Sequence, residues 1–106
     1  MTTSALPHDR LVALGAPPLP LGLTYRVRWH GDGEDFLRVE LREDRPLFGS
    51  DRLARRVIDL REIAPDDVAS HVAQACRECV AEQQARTERT IRTKPLLGDH
   101  GRGAAA

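Results

Sequence analysis

Between Leu23 and His30 apolar and polar side chains alternate without a break: Leu23, Tyr25, Val27 and Trp29 against Thr24, Arg26, Arg28 and His30. A period of two marks a strand with one buried face. Gly31 to Asp35 read "GDGED", two glycines among acidic turn residues. After them Leu37, Val39 and Leu41 alternate with Arg38, Glu40 and Arg42. Strands over about 23–30 and 36–43, joined as a β-hairpin, follow from this pattern. Pro46 and Gly49 then interrupt it. A third strand is expected over about 55–61, "RRVIDLR", with Ile58 and Leu60 inward. Ser50 followed by "DRLARR" fits a helical turn before that strand equally well.

The period changes after Pro65. Val68, Val72, Ala75, Cys76, Cys79 and Val80 gather on one side of a helix, with Ser70, Gln74, Arg77, Ala81 and Gln84 opposite. Pro65 suits the first helical position, Asp66 and Asp67 complement the positive end of the dipole, and Arg86 and Arg89 the negative end. The helix is therefore expected over about 65–88, its stripe on the apolar face of the hairpin.

These elements make an α+β domain over residues 23–89: a three-stranded antiparallel sheet packed against one long C-terminal helix. Residues 1–22 form an N-terminal arm, a short helical turn in "HDRLVAL" followed by the proline-containing "GAPPLPLG", which lies on the body or waves free. Residues 90–106 carry Pro95, three glycines and terminal alanines without a period, and read as a flexible, mildly basic tail.

Composition narrows the function classes. A chain of 106 residues supports one modest core. Sixteen basic and sixteen acidic side chains leave no net charge, so any electrostatic binding must be local. No apolar run approaches the roughly 20 residues that cross a bilayer, and "MTTSALPHDR" lacks the features of a secretory leader. A cytoplasmic protein without a membrane partner is expected, and two cysteines three apart suit a reducing compartment. Fifteen arginines against one lysine point to GC-rich coding, bacterial or phage.

Cys76 and Cys79 form a Cys-x-x-Cys pair. A redox pair works best with its first thiol at a helix N-terminus, whereas Cys76 lies about three turns inside, on the apolar stripe. Packing explains both thiols. Zinc would need further ligands from His71, His100, His30 or His8, which come from unrelated places, so no metal is expected. The "HGDGED" turn lacks the ligand alternation of a calcium loop. Ser4, Ser50 and Ser70 sit in no nucleophile elbow, and "GDHGRG" neither follows a strand nor opens a helix. No enzyme and no cofactor is expected.

Two binding modes remain. The leading one is a small non-catalytic accessory or adaptor protein that meets a larger protein or its own copy. It would use an exposed sheet edge, the arm at Pro17, Pro18 and Leu19, and the helix extension at Arg86 and Arg89. The alternative is a weak nucleic-acid-binding protein using the polar sheet face, where Arg26, Arg28, Arg38, Arg42 and Arg61 would project, together with the basic tail. Tyr25 and Trp29 are expected to point inward, leaving only Phe36 outside as a stacking platform. Cross-strand Arg and Glu pairs on a solvated face would account for the same residues without a ligand.

Overall fold

The computed structural model describes residues 8–45, 47 and 49–105, with side chains as far as Leu96. The first seven residues of the arm and the side chains of the last ten residues of the tail lie outside the described part.

The three strands are β1 (Leu23–Trp29), β2 (Phe36–Arg45) and β3 (Gly49–Asp59), in the order β1-β2-β3 and antiparallel throughout. A short helix α1 (His8–Ala13) precedes them and a long helix α2 (Val68–Ala105) follows, entered through a 3-10 turn at Pro65–Asp67. The α+β architecture read from the pattern is the one observed.

Alternation explains which face α2 covers. Tyr25 and Val27 on β1, Val39 and Leu41 on β2, and Ala54 and Ile58 on β3 turn to the helix and are buried. Val72, Ala75, Cys76 and Cys79 meet them from α2. At about 25 cal/mol per Å² of apolar surface removed from water, this shared layer is the main source of cohesion. Two ion pairs tie the same layers at their margin: Arg56 on β3 reaches Glu82 at 2.7 Å and Glu78 at 3.4 Å, and Glu82 also holds Arg86 on its own helix at 2.8 Å.

The arm lies on the body. Leu11 and Ala16 are buried in the core cluster, the Tyr25 hydroxyl donates to the Pro17 carbonyl, and Arg77 donates to the Gly15 carbonyl at 3.1 Å. Gly15 is required there: its φ of +116° suits only glycine, and an added Cβ would sit 3.1 Å from the Arg77 guanidinium. Ala73, off the centre of the predicted stripe, is buried as well.

Three expectations about the sheet are corrected. β3 begins at Gly49, not near residue 55, so the helical turn suggested for Ser50 and "DRLARR" is absent. Residues 49–52 pair with the equally polar Arg42 to Arg45, at an end of the hairpin with little to bury, where alternation fades. A register shift between Leu41 and Arg42 also inserts Leu53 and changes which parity faces inward. Leu60 and Arg61, expected on β3, instead form a 3-10 turn with Glu62, capped by the Asp59 side chain. Trp29 has the inward parity but sits at the end of the sheet and is 43 % exposed.

The helix does not stop near residue 88 but runs on through Pro95. Loss of the apolar stripe marks where packing ends. Beyond Arg86 the described side chains are exposed, Gln83 donates to Thr87 and Thr90 to the Arg86 carbonyl, and Pro95, which has no N–H, removes one rung of the hydrogen-bond ladder.

Candidate functional site

The face of the sheet turned away from α2 is built from alternate residues of β1 and β2 and, on β3, from residues whose spacing the bulge at Leu53 widens to three. Strand β1 supplies Arg26 and Arg28, β2 supplies Arg38, Glu40 and Arg42, and β3 supplies Arg52 and Arg55. Register sets their neighbours. Arg26 and Arg55 stand on either side of Glu40, Arg28 lies opposite Arg38, and Arg42 lies opposite Arg52. Two cross-strand pairs are thus Arg against Arg, an arrangement that destabilises a sheet. A face shaped only for solvation would pair Arg with Glu at those positions.

Glu40 is the single carboxylate at the centre, and it is only 3 % exposed although no secondary-structure element covers this face among the described residues. The arginines themselves enclose it. Arg42 Nη1 donates to Glu40 Oε1 at 2.7 Å, and Arg38 Nε stands 3.2 Å from Glu40 Oε2. The second contact is an ion pair by distance but is not aligned as a hydrogen bond, leaving Arg38 Nε a buried donor without an aligned acceptor. Arg42 is held on all three nitrogens, because Nε donates to Ser50 Oγ at 2.7 Å and Nη2 to the Ser50 carbonyl at 2.8 Å.

The flanking strands differ. Arg26, Arg28, Arg52 and Arg55 make no ion pair and no side-chain hydrogen bond among the described residues, and Arg28, Arg52 and Arg55 are exposed. Burial holds the Arg26 guanidinium below its ordinary pKa, and the positive charges of Arg28, Arg42 and Arg38 act in the same direction against Glu40. The site is an uncompensated positive field on a molecule of zero net charge.

Arg61 stands apart. It is tied to Asp59 by two 3.0 Å bonds and lies over the Phe36 ring, 4.9 Å from its centroid. The bonds from Arg61 hold the Asp59 carboxyl below the usual carboxylate range. The outer-face aromatic is therefore already stacked by a neutralised guanidinium. Of the five arginines expected on this face, four are brought together and Arg61 is placed at the margin. Arg55 and Arg52 complete the set. Arg55 shares the parity of Asp59, a signal present in the sequence; Arg52 lies beyond the bulge and is legible only from the register.

The residues expected to meet a protein partner are dispersed. Pro17 offers its carbonyl to Tyr25, Leu19 packs on the core and donates its N–H to His8 Nε2 at 3.2 Å, and Pro18 is exposed. Arg86, about two and a half turns beyond the arm's contact at Arg77, donates to the Leu53 carbonyl at 2.7 Å. Arg89 is exposed. Arg56 takes up the Arg55 carbonyl at 2.9 Å, so with Ser50, which accepts from Arg42, three carbonyls of edge strand β3 are occupied by side chains.

Both thiols are fully enclosed, Cys79 Sγ lying 3.9 Å from the Val39 carbonyl. Burial pushes Cys76 up to about 12, with help from Cys79, and Cys79 up to about 11. They are protonated at neutral pH and poorly suited to act as nucleophiles. Among the described residues no group of three or more His, Cys, Asp or Glu side chains is placed to hold a metal ion, and no helix is long and apolar enough to cross a membrane. Set against protein-family models, curated proteins and solved structures, the chain matches none.

Proposed function

We propose that the chain binds nucleic acid through its phosphate backbone, on the open face of the sheet. One observation carries the reading: among the described residues Arg26, Arg28, Arg52 and Arg55 stand free around a centre where Arg42 is held on all three nitrogens and Arg38 is ion-paired to Glu40. Arginine forks match phosphate oxygens, and such contacts supply affinity without reading sequence. Phe36 is covered by Arg61 and gives no free platform for a base, so the binding is electrostatic and tolerant of sequence. The adaptor reading loses support because Pro17, Leu19 and Arg86 serve internal contacts and part of the β3 edge is occupied.

The test is fluorescence anisotropy of labelled oligonucleotides across a salt series with the full chain. Release of counterions from two to four phosphates weakens binding by roughly 7- to 150-fold between 50 and 200 mM salt, and Arg28→Glu with Arg55→Glu abolishes it. Absence of binding at 50 mM salt, binding indifferent to salt, or binding to vesicles of anionic phospholipid but not to oligonucleotides would each overturn the proposal.

A further inference from the structure

From the same face, and resting on the nucleic-acid reading, we infer that the preferred ligand is a duplex, whose two backbones lie on the two outer strands. The free cations form two rows. Arg26 and Arg28 run along β1, Arg52 and Arg55 along β3, and β2 lies between them. The middle row offers little. Arg42 spends every nitrogen on Glu40 and Ser50, Arg38 is ion-paired to Glu40 through Nε, and Glu40 offsets one of their two positive charges.

A single backbone meets this pattern badly. Laid along the strands it follows one row and engages two free arginines; laid over β2 it meets Arg38 and Arg42, whose charges Glu40 partly offsets; crossing the strands it meets about one free arginine per row. A duplex presents two backbones across a groove and engages both rows at once. The rows stand two strand spacings apart, about 9.5 Å at the backbone. That lies between the roughly 6 Å minor and 12 Å major groove widths of B-form DNA, within the reach of flexible guanidinium side chains. The shallow minor groove of duplex RNA also exposes its two backbones, so both duplexes share the chemistry.

The experiment measures affinity and salt dependence for a labelled single strand, the same strand in a DNA duplex, and an RNA duplex. Four phosphate contacts on a duplex give a log–log slope near −3.6, and two on a single strand about −1.4. Arg28→Glu and Arg55→Glu, each at an exposed position, should each weaken duplex binding by about tenfold or more, because each removes part of one row. Glu40→Gln should narrow the gap between duplex and single strand by making the middle row usable, with its fold checked by melting. Single-strand binding as tight as duplex binding, with equal slopes, overturns the duplex inference and leaves the nucleic-acid reading standing. The same holds if only one of the two row variants affects the duplex. Binding to none of the three ligands overturns both.

Discussion

On the face of the sheet that α2 covers, Val39 and Leu41 are completely enclosed by apolar neighbours; one residue away along the same strand, Glu40 is enclosed by arginines on the other face. The first environment is what packing and hydrophobic burial would select. The second sets Arg28 against Arg38 and Arg42 against Arg52, which stability alone would not select. The contrast separates two tasks within three strands. The covered face holds the domain together, while the open face keeps a positive field that the rest of a neutral molecule balances elsewhere.

The largest effect should come from damaging the covered face. Leu41→Ala removes a side chain that is 1 % exposed and should cost about 2–5 kcal/mol, read from urea unfolding. A loss below about 1 kcal/mol would mean that the layer under α2 is loose, and the contrast would fail. Next in size is the response of the thiols to alkali. Their pKa values are raised in the folded chain, so the unfolded chain releases its protons first. The stability they contribute is complete below about pH 8.5 and is lost as pH rises towards 11 to 12. Each thiol should give a slope of up to about 1.4 kcal/mol per pH unit once the unfolded thiol has ionised. Replacing both, Cys76→Ala with Cys79→Ala, should flatten the slope measured by denaturation between pH 8 and 10. An unchanged slope would show that the thiols are not enclosed in solution.

The covered face was legible in the sequence because its signals are periodic. Tyr25, Val27, Val39 and the stripe from Val72 to Cys79 announce both their element and their direction. Four arginines of the open face followed from the same alternation. Its remaining properties depend on register, which no single-strand pattern contains: the bulge that brings Arg52 opposite Arg42, and the placing of Glu40 between Arg26 and Arg55. The docked arm was illegible for another reason. Its attachment combines burial of Leu11 and Ala16, which stand in no sustained period, with the backbone carbonyls of Gly15 and Pro17, whose partners Arg77 and Tyr25 are distant in the chain or unremarkable in type.

The smallest effect on stability tests the contrast most directly, because its sign is the informative quantity. Arg28→Glu replaces a like-charge pair with an opposite-charge one facing Arg38, on an exposed position of an edge strand. Relief of that repulsion should stabilise the fold by about 0.2–1 kcal/mol, seen as a raised midpoint in urea at low ionic strength and reduced by salt as exposed charges are screened. The same substitution should weaken oligonucleotide binding. A more stable protein that binds less well is the outcome expected where a surface holds its charges for a ligand and not for the fold. If the variant is instead less stable in low salt, Arg28 is held by a favourable contact, and the open face is structural like the covered one.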